Sequence, residues 1–433
     1  MFEDLDRNTA KRIIHSLLES GQPPKLGASY LNVATEPTLK RLQFDYLDGI
    51  LKSYEGRDGA GVCKWVVANY GNGKTQFLRC LQSIAWDLNY TTAFVELSQD
   101  ECPLDRPDRV YTAVARSIQA APRTASDVDR GRGIEVMLQQ LLDRLFPEVL
   151  SGVVEPRLKE QAIAWVESSL SSTPIECTSF RTAATKHLIA KLTGDITTAS
   201  MSASYLRGDQ LPMSEYKSIG LYEKLDRSSG FIFLRSLCQF LQRSELASGT
   251  VLLFDEARRS LSLMSTKSKK VACENLLSVI NRCNSEELPG TMFVYAVMPD
   301  FFSDFATNYP ALQQRCGPNT KIDLEAINNG NEIDLLKKIG NRIAKVFSFA
   351  NDDLDVNDSL VEQNCNVIAH CTLKQTMGSG TRRLFVKTWC DVLQQSRDSG
   401  LCELDEQMVE RLIEGARVQL DEVEQEAIES EGE

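Results

Sequence analysis

The sequence predicts an α/β fold: a parallel sheet with helices on both faces, an inserted helical region and a C-terminal helical lid. Three observations carry this reading. Five short β-rich runs recur along the chain, and one helical stripe separates the first two, a strand–helix–strand unit that requires a parallel crossover. A glycine-rich turn joins the first run to that helix. The third run ends in two adjacent carboxylates, Asp255 and Glu256.

Residues 1–55 read as N-terminal helices. Ile13, Ile14, Leu17 and Leu18 recur at helical spacing before Gly21, and Leu39, Leu42, Tyr46, Leu47, Ile50 and Leu51 form a second stripe. Residues 56–121 hold the first half of the core. Turn material at Gly56, Gly59 and Gly61 leads into a strand at Val62–Ala68, a helix at Lys74–Leu88 and a strand at Thr91–Ser98. From 122 to 245 the pattern is helical, broken by Ser/Thr-rich stretches at Ser168–Pro174 and Thr193–Ser204, and reads as an insertion. Residues 246–330 return to the sheet with Val251–Phe254, Met292–Val297 and a shorter run at Lys321–Leu324. Residues 331–433 read as about four lid helices ending in an acidic tail. No internal repeat is visible.

Composition bounds the function classes. Apolar residues make up 42% and charged residues 25% of the 433, which excludes a mainly disordered or collagen-like chain. The longest apolar stretch, Phe231 to Leu241, is interrupted by Arg235, Ser236 and Gln239, so a membrane span is not expected. The start, MFEDLDRNTAKR, does not resemble a signal peptide. A soluble, cytoplasmic protein is expected. More than half of the net charge of −12 sits in Asp421 to Glu433, so the bulk balance does not point to nucleic acid. The 12 cysteines are scattered without a CxxC pair. Cys365, His370 and Cys371, the densest spot, lack ligand spacing, so buried reduced thiols are expected rather than a zinc site.

The segment Ala68-Asn69-Tyr70-Gly71-Asn72-Gly73-Lys74-Thr75-Gln76 follows a strand and opens a helix, which is the context a P-loop requires. Gly71 and Gly73 let the backbone turn so that consecutive N–H groups point at phosphate oxygens, and the helix N-terminus adds partial positive charge. Lys74 can bridge β- and γ-phosphates, and the Thr75 hydroxyl can ligate Mg2+. ATP with Mg2+ is the expected ligand, with Asn69 to Gln76 as its cradle. Asp255 at a strand end completes the metal site, and Glu256 is placed to take a proton from an attacking water. About 180 residues separate the two motifs, which is long for a compact core and agrees with an insertion.

Hydrolysis of this kind often uses an arginine facing the γ-phosphate. Arg315, between the fourth and fifth strand runs, is one candidate finger, in cis or in trans, and Arg282 is another. Arg382 and Arg383 open an apolar-periodic lid helix with Leu384, Phe385 and Trp389. Arg258, Arg259, Lys267, Lys269 and Lys270 form the clearest basic run. It reads either as a DNA contact or as a solvated face.

NYGNGKTQFLRCL, FVELSQDECPLDRPDRVY, LLFDEARRSL, MPDFF with YPALQQR, and TRRLFVKTW occur here in this order. Together they resemble the ATP-binding proteins of bacteriophage exclusion (BREX) defence systems, P-loop ATPases related to the AAA+ and origin-recognition class. The resemblance implies an AAA+-type sheet. It also implies ATP and Mg2+ as cofactors, hydrolysis used as a switch or motor, and other defence-system proteins as partners, and it leaves a homo-oligomer open; the missing polar residue near Met298 points to slow hydrolysis. It carries roles onto Lys74, Thr75, Asp255 and Glu256, and onto Arg383 as lid arginine. The sequence departs from the pattern twice. Ala68 stands where a glycine is usual, and Ala296, Val297 and Met298 leave no polar residue to sense the γ-phosphate. A non-hydrolysing, ATP-locked interaction module and an origin-recognition-like DNA loader are the alternative functions.

Overall fold

The computed structural model describes residues 2–429, except 3, 55–56, 124–126, 128–130, 151–154, 257–263, 308, 329–330, 352–356 and 377–379. Gly56, Arg258, Arg259 and the end of the acidic tail therefore lie outside the described residues. The strands are β1 (Gly61–Val67), β2 (Tyr90–Glu96), β3 (Ile118–Gln119), β4 (Gly249–Asp255), β5 (Thr291–Val297) and β6 (Lys321–Asp323). They form one sheet in the order β3-β2-β4-β5-β1-β6. All pair in parallel except β3, which runs antiparallel to β2. The five expected strands are thus present, shifted by one or two residues at their ends. The sixth, β3, escaped the sequence because two residues carry no alternation to read.

Each central strand is buried on both faces, and its residues sort by parity. Trp65, Val67, Phe254 and Tyr295 enter one core, whereas Val66, Ala68, Leu253 and Val294 enter the other. The second core is covered by α3 (Lys74–Asp87), which opens directly after the glycine-rich turn, and by residues of the helical stretch α2 (Glu36–Arg41) to Ile50. The first is covered by α4 (Pro107–Ser117), α5 (Ile134–Leu145), α6 (Pro156–Trp165), α7 (Thr178–Thr193), α8 (Ile196–Arg207), α9 (Met213–Ser218), α10 (Gly230–Arg243), α11 (Thr266–Asn284) and α12 (Pro310–Arg315). The helical stretch between β2 and β4 is therefore a layer on one face of the sheet, continuous with its core.

A third core holds four C-terminal helices, α13 (Glu332–Ala350), α14 (Asp358–Thr376), α15 (Thr381–Ser399) and α16 (Glu406–Glu429). The first helix, α1 (Arg7–Ser20), joins this group rather than the sheet: Ala10, Ile13, Ile14 and Leu17 pack with Leu336, Ile343 and Trp389. α1 is capped at its start by the Asp6 carboxylate and stopped by Gly21 in the left-handed region. Among the described residues no helix is long and apolar enough to cross a membrane. Every cysteine but Cys402 is buried, and none is disulfide-bonded.

Candidate functional site

The site lies at the C-terminal edge of the sheet, where β1 gives way to the loop Ala68–Gly73 and α3. Gly71 and Gly73 have φ of +70° and +91°, a region L side chains rarely adopt. At Gly71 there is a second constraint, because a Cβ would stand 2.6 Å from the Gly380 Cα. Gly380 in turn donates its N–H to the Tyr70 carbonyl at 2.8 Å, so the loop and the start of α15 touch backbone to backbone.

Register explains how residues so far apart in sequence meet. Asp255 and Val66 both pair with Ala296 from opposite sides, so β5 lies between the loop-bearing strand and the acidic strand. By the parity of the sheet, Asp255 faces α3, whose second residue is Thr75. The Thr75 hydroxyl donates to Asp255 Oδ2 at 2.6 Å. The other carboxylate oxygen, Oδ1, is buried with no hydrogen-bond partner among the described residues. Asp255 is only 3% exposed, and burial pushes its carboxyl above the ordinary value, opposed by the Thr75 bond, Lys74 and Arg79. Glu256, also buried, is anchored by its N–H on the Ala296 carbonyl at 3.0 Å.

Lys74 is buried, with Nζ donating to the Ala68 and Asn69 carbonyls at 3.0 and 3.2 Å. Burial lowers its pKa, while Asp255, Glu256, Glu325 and Asp300 pull it back up. Ala296, Val297 and Met298 are buried and apolar, so the first charged side chain after β5 is Asp300.

The remaining expected residues divide. Tyr70 and Arg383 meet, Nη1 to Oη at 2.5 Å, and Arg383 Nε also reaches the Ser20 carbonyl at 3.1 Å. Asn69 and Asn72 bond to Glu325. Gln76 turns its amide to the Ala28 carbonyl at 2.6 Å. Arg315, exposed at the end of α12, does not line the cleft of its own chain. Arg282 is held by Glu287 and Ser278. Of the basic run, Lys269 lies 3.8 Å from Asp304, while Lys267 and Lys270 are exposed on α11.

Lys74, Thr75, Asp255, Glu256, Tyr70 and Arg383 line one cleft of about 260 Å³. Its polar wall is the loop with Asp255, Glu256, Arg79, Glu96, Arg382 and Arg383. Its apolar wall is Leu17, Leu31, Ile339, Ile343 and Val386 from α1, α13, α15 and the turn near residue 31. Phosphate-binding chemistry at one end and an aliphatic surface at the other suit a nucleotide. A larger groove of about 1050 Å³ opens beyond Arg79, Phe94 and Glu96, which line both, but it holds none of the loop. The sequence reading missed Glu325, Arg79 and Glu96, and named Arg382 only with Arg383 as an opening residue of the lid helix. Glu96 ends β2 and pairs with Asp255, a neighbour that only the strand order reveals. Arg382 bonds the Asn72 carbonyl at 2.5 Å and forks onto Glu332 at 2.7 and 3.1 Å.

Compared with known families, the chain matches the one described as BREX system ATP-binding protein BrxC/D over residues 5–410. It belongs to that family. The match spans the loop, the acidic pair and the C-terminal helices through α15, and it gives this BrxC/D chain an ATP-binding role in phage defence. No curated protein and no solved structure matches it.

Proposed function

We propose that this BrxC/D protein is a slow ATPase of the AAA+ class, acting as a switch or motor among other BREX proteins. One observation carries the reading: Thr75 on α3 and Asp255 on β4, 180 positions apart, meet at 2.6 Å beside buried Lys74 and Glu256. The strand order, with β5 between the loop strand and the acidic strand, supports the class assignment. Asn69 to Thr75 cradle the phosphates, and Lys74 neutralises them. Thr75 and Asp255 are the residues we assign to Mg2+, because a hydroxyl and an unpartnered buried carboxylate oxygen are hard donors that suit it. When bound, the ion neutralises charge on the phosphates.

Glu256 accepts the proton of the attacking water, Arg383 reaches the nucleotide from the lid, and Arg315 acts in trans, since it is exposed and does not line its own cleft. That last role requires a homo-oligomer. We take residues 56–121 and 246–330 as the core halves, 122–245 as the insertion and 331–433 as the lid. The Glu256→Gln variant tests the chemistry, because the amide keeps shape but cannot take a proton. Retained ATP binding with turnover reduced by about 10²–10⁴ is expected.

Apolar burial of Ala296, Val297 and Met298 favours a second reading, an ATP-locked module that partners recognise without turnover. Single-turnover hydrolysis in the wild type no faster than in Glu256→Gln would favour it. An origin-recognition-like DNA loader has less support, because Lys269 of the basic run is drawn to Asp304. Salt-dependent DNA binding with and without ATP tests it.

A further inference from the structure

We infer that Glu325 is a positioning residue of the nucleotide site, holding the outer flank of the phosphate-binding loop in shape. The inference rests on the nucleotide-binding reading of that loop. Glu325 follows β6, which pairs with β1 so that Asp323 stands opposite Val67. The Leu324 N–H donates to the Val67 carbonyl at 3.0 Å, and Glu325 thereby rises beside the loop. Its own backbone is fixed, because the Asp323 carboxylate accepts the N–H groups of Glu325 and Ala326 at 2.9 and 3.1 Å. One oxygen, Oε1, accepts both the Asn69 N–H at 2.8 Å and the Asn72 amide at 3.1 Å. From the other side, Arg382 grips the Asn72 carbonyl and is itself held by Glu332.

The physical need is clear. A loop with two residues at positive φ is pliable, and it must present several N–H groups in one geometry to bind phosphate well. Glu325 ties down both ends of the four-residue stretch 69–72 from a rigid sheet edge. It does not line the cleft itself, so apart from its charge acting on Lys74 its effect passes through the loop.

Because a single oxygen accepts both bonds, glutamine can replace the carboxylate with its one carbonyl oxygen. Titration with a fluorescent ATP analogue, alongside thermal melting, separates the possibilities. Glu325→Ala loses both bonds and should weaken binding about tenfold or more, since hydrogen bonds to charged groups each carry a substantial share of such a change. Glu325→Gln should bind within about twofold of wild type. If the alanine variant does not fold, Glu325→Asp, which withdraws the same charge by one methylene, should lose affinity where Gln does not. Alanine binding like wild type, or glutamine failing as badly as alanine, overturns the inference. A wild type that binds no nucleotide overturns both readings, whereas a binding wild type with an indifferent Glu325→Ala overturns only this one.

Discussion

Lys74 and Asp255 are displaced in opposite senses by the same cause. Burial disfavours the charged form of each, so the ammonium's pKa falls and the carboxyl's rises. A carboxyl whose folded pKa is raised binds protons more readily folded than unfolded. Stability of the ligand-free protein therefore declines as pH climbs from the ordinary aspartate range through the raised value, and the whole cost is present above it. Asp255→Asn, which still accepts the Thr75 hydroxyl, should raise the melting temperature at pH 7.5 and leave it nearly unchanged at pH 4. The same variant should lose Mg2+-dependent turnover. Lys74→Ala should weaken ATP binding by roughly 10- to 100-fold, the scale of a lost charge-assisted contact, read with a fluorescent analogue. Lys74, Thr75, Asp255 and Glu256 were legible because local spacing encodes them. Glu325 was not, nor was the loop carbonyl that Arg382 holds, because these contacts span 256 and 310 positions and leave no local pattern.

At the scale of elements, strands buried on both faces read as plain apolar runs, so β1, β2, β4 and β5 were visible in the sequence. Their lateral order was not, because nothing in a run names its neighbour. That order decides which acid meets which loop. The junction of the loop with α15 gives a paired prediction. Gly380 has φ of +73° but open space where a Cβ would stand, so Gly380→Ala should cost only about 1 kcal/mol, from backbone conformation. Gly71→Ala meets the Gly380 backbone as well, so the loop or the lid must shift. Its melting temperature should fall further, and nucleotide affinity should drop in Gly71→Ala alone. Calorimetry and titration of the two variants side by side check this.

For the whole molecule, the exposed position of Arg315 makes assembly measurable. Arg315→Ala should keep ATP affinity while turnover falls by up to about 10³–10⁵, less if the basal rate is slow. Mixing Arg315→Ala with Lys74→Ala subunits should restore activity, because one supplies an intact cleft and the other an intact finger. No recovery, with wild-type specific activity independent of concentration, would leave Arg315 a surface arginine. The sequence reading also grouped α1 with the other N-terminal helices, whereas its packing partners are α13 and α15, a long-range choice that periodicity cannot express. That partnership sets an order of events during synthesis. Leu17 and Gly21 line the nucleotide cleft together with Ile339 and Arg383. Ser20 and Arg383, which bond across it, are 363 positions apart. At ribosomal rates of about 5–20 residues per second, the first helix waits roughly 20–70 s for its partners. The nascent chain can complete its sheet before α13 and α15 emerge, so nucleotide capture waits for those two helices.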